Sequence, residues 1–182
     1  MPEHLSAQEL YQYTDQFHVG DKILLSGYVY TARDAAHKRI AALLDSGGAL
    51  PFALEHAIIY YAGPTPAPPG KPVGACGPTT SSRMDSYAPR MLDLGLTAMI
   101  GKGERSAAVR EAIIRNKAVY LCAVGGAGAL AARCIKKLQV IAFDDLGCES
   151  VKQLYFEKFP LVVANDAHGG DLFSEGRSAY AR

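Results

Sequence analysis

The sequence has no tryptophan and almost no excess of charge, since nineteen basic and eighteen acidic side chains leave a formal net charge of +1. Without a basic excess there is no global field to hold a polyanion, which excludes nucleic acid as the expected partner. Long apolar runs are missing as well. No uninterrupted segment reaches the roughly 18 residues of a membrane-crossing helix, so no membrane role is expected. The four cysteines, Cys76, Cys122, Cys134 and Cys148, are widely spaced. They give no Cys-x-x-Cys and no Cys/His pair at metal-site spacing, so they are read as reduced core thiols and no metal ligand is assigned. Met1-Pro2-Glu3-His4 is neither basic nor followed by an apolar run, which points to a cytoplasmic protein.

What is present suits one packed unit. The 182 residues are 49% hydrophobic, enough for a sizeable core, and residues 1–182 are expected to form a single domain. Ser6 followed by Glu9 has the spacing of a capping box and predicts a short helix over 7–16. Lys22 to Thr31 is rich in β-branched, leucine and tyrosine residues and predicts a strand. Asp34 is placed to cap a helix running to Ser46, stopped by Gly47-Gly48. Residues 57–62 predict a strand, and the five prolines between Gly63 and Pro72 leave only a surface loop.

Further along, strands are expected at 73–76, 97–100, 119–124 and 140–143, and helices at 87–94, 106–116 and 127–135. The last of these helices is rich in small residues and is expected to pack tightly on the sheet. Residues 149–164 have mixed periodicity and receive no assignment. Strands alternating with helices argue an α/β fold with a mainly parallel sheet, whose ligand-handling loops follow the carboxyl ends of strands.

Three cations fall at such ends: Arg33, Arg83 and Lys102. Alone, each reads as a solvated surface charge. Together they suit a small dianion, because arginine grips a carboxylate through two parallel charge-assisted bonds and Gly101 and Gly103 let a ligand approach Lys102 closely. Thr79, Thr80, Ser81 and Ser82 add hydroxyl and amide donors. No Ser-His-Asp order accompanies them, which disfavours a hydrolase. His37 lies four residues after Arg33 and shares its helix face, yet a surface position is the expectation for it. His168 reads as loop. Gly125-Gly126-Ala127-Gly128 lacks dinucleotide-loop spacing; Asp144 and Asp145 stand roughly where a ribose ligand would fall, so a nucleotide-binding domain is the weakest alternative.

Thr31-Ala32-Arg33-Asp34-Ala35-Ala36-His37, Gly77-Pro78-Thr79-Thr80-Ser81-Ser82-Arg83-Met84-Asp85, Gly101-Lys102-Gly103 and Gly125-Gly126 together resemble, in order and spacing, the beta domain of class I fumarases and L-tartrate dehydratases. The resemblance covers nearly the whole chain. It departs at Gly147-Cys148-Glu149-Ser150 and at Gly125-Gly126-Ala127-Gly128, neither of which is expected to touch the cationic residues.

The resemblance implies a swivelling β/β/α domain that closes on an alpha subunit holding a 4Fe-4S cluster, with this chain contributing no cluster ligand. It implies substrate contacts from Arg33, Thr79, Arg83 and Lys102, and acid/base help from Thr79 beside an aspartate of the alpha subunit. Asp34, His37, Thr80 and Glu149 are expected to support these from behind. The implied reaction is reversible dehydration of (S)-malate to fumarate. Dehydration of L(+)-tartrate to oxaloacetate and a stand-alone dicarboxylate-binding module are the alternatives. The implied assembly is a homodimer of alpha-beta pairs.

Overall fold

The computed structural model describes residues 4–181 as a mixed α/β fold with seven strands in one sheet. These are β1 (His4–Ser6), β2 (Lys22–Thr31), β3 (Ile58–Tyr60), β4 (Ala98–Gly101), β5 (Val119–Cys122), β6 (Ile135–Ala142) and β7 (Val151–Asn165). The helices are α1 (Asp34–Ser46), α2 (Ala88–Asp93), α3 (Ala107–Arg115), α4 (Gly128–Arg133) and α5 (Leu172–Tyr180). β1, β2, β3, β4 and β5 pair in parallel, in that order. The long β7 runs antiparallel to them and pairs with β5 on one side and β2 on the other, so β2, β3, β4, β5 and β7 close into a ring. β6 joins β7 at its far end.

Alternation along the strands decides the packing. In β2, Ile23, Leu25 and Val29 point into one core together with Ile58, Tyr60, Ile100, Leu121, Leu154 and Phe156. The opposite faces of the parallel strands supply Ile59, Met99 and Tyr120, which pack with Ala36 and Ile40 of α1, Met91 and Leu92 of α2, and Val109 and Ile113 of α3. Successive side chains of a strand face opposite sides, so one three-residue segment serves both cores. α1 ends at Gly47, whose φ of 67° lies in the left-handed region and lets its N–H reach the Leu43 carbonyl.

Several local expectations change. Residues 7–16 form two short 3-10 turns, Leu10–Gln12 and Thr14–Gln16, because the Ser6 hydroxyl bonds Gln8 in place of an orphan helix amide. Residues 73–76 are not a strand. They are the return of the proline loop, tied by Thr65 N–H to Ala75 O at 3.0 Å. β6 begins at Ile135, five residues earlier than expected, and the unassigned stretch 149–164 is mostly β7, whose burial comes from β2 and β6 on either side. The sheet is therefore less parallel than expected, with β6 and β7 both antiparallel. α4 buries none of its residues, so tight packing on the sheet is corrected as well.

Candidate functional site

The four parallel strands β2 to β5 present their carboxyl ends along one edge, and the chain lays its polar loops there. Arg33 follows β2, Tyr61 to Gly63 follow β3, and Lys102 follows β4. The Thr79–Arg83 segment is fastened across this edge by backbone bonds. Thr79 N–H donates to Tyr61 O at 2.7 Å, and Ser81 N–H donates to Lys102 O at 2.9 Å. Thr80 and Lys102 form a parallel bridge. Ser81 Oγ accepts from Lys102 N–H at 3.1 Å, so the hydroxyl loop acts as a short extension of the sheet beside β4. A β-carbon at Gly101 would lie 1.9 Å from Ser81 Oγ, so the absence of a side chain there permits the close approach.

Each of the two arginines has a carboxylate partner, and both carboxylates gather at the start of α1. Asp34 accepts from Arg83, Oδ1 from Nε at 2.9 Å and Oδ2 from Nη2 at 2.6 Å. Glu149 stands beside Arg33, with Oε1 3.6 Å from Nη2. Its other oxygen, Oε2, accepts from Ala35 N–H at 2.9 Å. The residue in the capping position is Arg33, in extended conformation and without a side-chain bond to the helix. Asp34 is therefore not the cap; Glu149, brought from 114 residues away, takes that part. Carboxylates at a helix N-terminus meet unpaired amides and the positive end of the helix dipole. Thr80, Arg83 and Lys102 are exposed and Arg33 and Thr79 half-buried, which leaves the cationic face accessible from one side.

Beneath this face lies a buried polar layer. His37 is fully buried, not on the surface as expected, and its Nδ1–H donates to Arg33 O at 2.9 Å. That bond puts the proton on Nδ1, and burial lowers the His37 pKa to about 4. The imidazole packs edge-on against Tyr61. Arg105, with no exposed side-chain surface, donates through Nε to Asp85 Oδ1 at 2.7 Å and lies over the rings of Tyr61 and Tyr120. Asp85 Oδ2 accepts from Ser106 N–H at 2.6 Å. The Tyr120 hydroxyl sits 2.8 Å from both Ser81 Oγ and Gly103 O, which ties the layer to the hydroxyl loop and the Lys102 turn.

The structure thus gathers Arg33, Asp34, Thr79, Thr80, Arg83, Lys102 and Glu149 at one edge, with His37 just below. Sequence reasoning missed Tyr61, Arg105 and Tyr120. Asp85 closes the most unusual run of the sequence and was within reach, whereas Glu104-Arg105 reads as ordinary surface charge. His168 lies in a loop and bonds Asp15 O at 2.9 Å. Gly125 and Gly126 make an exposed turn beside Lys102; a β-carbon on Gly125 would fall 3.4 Å from Lys102 Cδ. With Glu149 beside Arg33, both segments expected to lie away from the cations adjoin them, because the closed sheet brings them to the same edge.

Among the described residues no group of three His, Cys, Asp or Glu side chains is arranged to hold a metal. Cys76 is buried with its thiol pushed up to about 12, chiefly by loss of solvation, while Cys148 is exposed. These thiols do not fit a cluster site. No helix among the described residues is long and apolar enough to cross a membrane.

The chain is similar in sequence to several known proteins. The chain is 36% identical over 170 residues to the anaerobic class I fumarate hydratase of Escherichia coli strain K12, covering 92% of this chain and 31% of that protein. It is 39% identical over 167 residues to the putative L(+)-tartrate dehydratase subunit beta of Methanocaldococcus jannaschii, covering 86% of this chain and 84% of that one. It is 31% identical over 168 residues to the L(+)-tartrate dehydratase subunit beta of Escherichia coli strain K12. The chain spans about a third of the length of the fumarate hydratases it matches. The family model described as Fumarase C-terminus matches residues 4–176, and the chain belongs to that family.

Proposed function

We propose that residues 1–182 act as one swivelling β/β/α domain, the beta subunit of a class I hydro-lyase that interconverts (S)-malate and fumarate. The observation that carries this reading is the gathering of Arg33, Arg83 and Lys102 around the Thr79–Thr80 hydroxyls at the sheet edge. Three cations of this kind match a dianion with two carboxylates, and the sequence shows no Ser-His-Asp order of the hydrolytic type. The reading assigns the 4Fe-4S cluster to a partner alpha subunit and the assembly to a homodimer of alpha-beta pairs in the cytoplasm.

On this reading Arg33 and Arg83 bind the substrate carboxylates and Lys102 adds a third positive charge. Removing the C3 proton puts negative charge toward the adjacent carboxylate, and fixed cations stabilise that charge without reorganising during the step. The Thr79 hydroxyl helps to move the proton. Its backbone N–H is bonded to Tyr61 O at 2.7 Å, which anchors the residue at the sheet edge. Loss of the C2 hydroxyl as water completes the formation of fumarate.

A second reading, L(+)-tartrate dehydratase, is supported by the 39% and 31% identity of the chain to two proteins named as tartrate dehydratase beta subunits. Both readings use the same clamp. Anaerobic co-expression with an alpha-type chain, assayed with malate and with tartrate, separates them, and Arg83→Ala in the same complex tests the clamp. A complex with an intact cluster that turns over neither acid overturns both.

A further inference from the structure

Lys152 is a charged residue with 6% of its surface exposed, and no carboxylate is among its hydrogen-bond partners. Its Nζ donates to Gly147 O at 2.9 Å, Cys148 O at 3.1 Å, Ser150 O at 3.2 Å and Ser150 Oγ at 2.7 Å. Three of these acceptors lie on Cys148 and Ser150, the residues that flank Glu149. The turn they close passes through Gly147, at φ 58° and ψ −117°, a conformation that only glycine adopts readily. The base of the turn is tied to β2, with Lys152 N–H donating to Thr31 Oγ1 at 3.1 Å, two residues before Arg33. Glu149 projects from this turn to cap α1 at Ala35 N–H and to stand beside Arg33.

We infer that Lys152 is a positioning residue for the anion clamp, acting through Glu149 on Arg33. Burying an ammonium is unfavourable unless its protons are satisfied, and here carbonyls of a single turn satisfy them. Burial also lowers the Lys152 pKa, as loss of solvation requires. The turn is closed in part by its own bonds, Ser150 N–H and Oγ–H to Gly147 O at 3.1 and 2.8 Å, and the charge adds a tie that also engages the Cys148 and Ser150 carbonyls on either side of Glu149. Arg33 depends on that geometry because its Nε is buried without a hydrogen bond and Glu149 is the carboxylate beside it.

The kinetic consequence rests on the hydro-lyase reading; the structural one does not. Lys152→Met keeps the volume and removes the charge. In native-state hydrogen exchange of the full chain, the Ala35 amide is expected to exchange about tenfold faster in Lys152→Met, as in Glu149→Ala, with no further rise in the double variant. In the reconstituted complex, Lys152→Met is expected to raise KM for the dicarboxylate about tenfold while kcat changes by less than about threefold. Wild-type protection at Ala35 in Lys152→Met, or multiplicative effects of the two substitutions, overturns the assignment. A wild-type complex inert toward malate and tartrate overturns the hydro-lyase reading alone, since exchange at Ala35 still decides the role of Lys152. If Lys152→Met does not fold, Ser150→Ala removes the partner at 2.7 Å, and full protection of Ala35 there overturns the assignment.

Discussion

Asp34 takes Arg83 side-on, through Nε and Nη2, so the outer nitrogen Nη1 stays outside the pair. The two side chains come from segments 49 residues apart and meet at the first turn of α1. A bidentate carboxylate fixes the plane of a guanidinium, and the remaining N–H groups then point along a defined direction.

Asp34→Ala is therefore expected to lower kcat/KM of the reconstituted enzyme by about tenfold or more through the loss of Arg83 orientation. The pair is partly exposed, with side-chain accessibilities of 47% and 35%, so unfolding free energy should change by no more than about 1 kcal/mol. Steady-state kinetics beside urea denaturation reads both. A stability loss as large as the catalytic loss would make the pair structural.

Thr79→Val removes the hydroxyl and keeps the backbone bond to Tyr61 O. The expected outcome is a fall of about a hundredfold in kcat with KM within about threefold of wild type, the pattern of a group used in proton movement rather than in ground-state binding. A raised KM with unchanged kcat would assign Thr79 to binding only.

Two glycines differ in what a side chain would meet. A β-carbon at Gly63 would lie 2.7 Å from Arg33 Nη1, the far end of a flexible side chain, and 3.1 and 3.2 Å from Arg33 Cδ and Cys148 O. Gly63→Ala should raise KM by displacing Arg33 and lower the melting temperature less than Gly101→Ala does. At Gly101 the added carbon meets Ser81 Oγ at 1.9 Å, Tyr61 Cδ2 at 3.0 Å and Ser81 Cβ at 3.2 Å, all in a packed region. Gly101→Ala should cost about 1–3 kcal/mol of stability as well as activity. Equal melting temperatures for the two variants would contradict this.

His37 gives a pH prediction. Its pKa is near 6.5 in an unfolded chain and lowered by burial to about 4 in the fold, so below the unfolded value the unfolded state binds the extra proton. Its contribution to stability is complete above about pH 6.5 and is lost as pH falls toward 4. Between about pH 7.5 and pH 5 this amounts to about 2 kcal/mol. Urea midpoints across that range should fall more steeply for wild type than for His37→Gln, and parallel curves would show that His37 titrates normally.

The loops that carry Thr79, Arg83 and Lys102 were legible early because short-range signals mark them. Gly77-Pro78-Thr79-Thr80 and Gly101-Lys102-Gly103 announce loops by their residue types, and β2 and α1 begin and end where the pattern of β-branched residues and the Gly47 stop place them. β7 escaped because its fifteen residues are flanked in turn by β2, β6 and β5, so its burial follows no single period. The proline-loop return at 73–76 looked like a strand because Val73 and Cys76 are apolar, yet Cys76 N–H pairs with Gly128 O in α4 at 3.0 Å, not with a neighbouring strand.

Local sequence dictated the residue types of the clamp and the strand ends that carry them, since turn chemistry and side-chain alternation act over a few residues. The partners of those residues were set by the closure of the sheet. Glu149 reaches Ala35 across 114 residues, and Lys152 reaches Thr31 across 121. Asp85 meets Arg105 only because the loop before α2 and the turn before α3 share one edge. Such pairings depend on β7 lying along β2 and on strand order, which no local pattern encodes. The burial of His37 had a local sign, since Ile40 and Leu44 follow it at i+3 and i+7 on one helix face, but only the packing of α1 against Tyr61 encloses the imidazole and keeps it neutral.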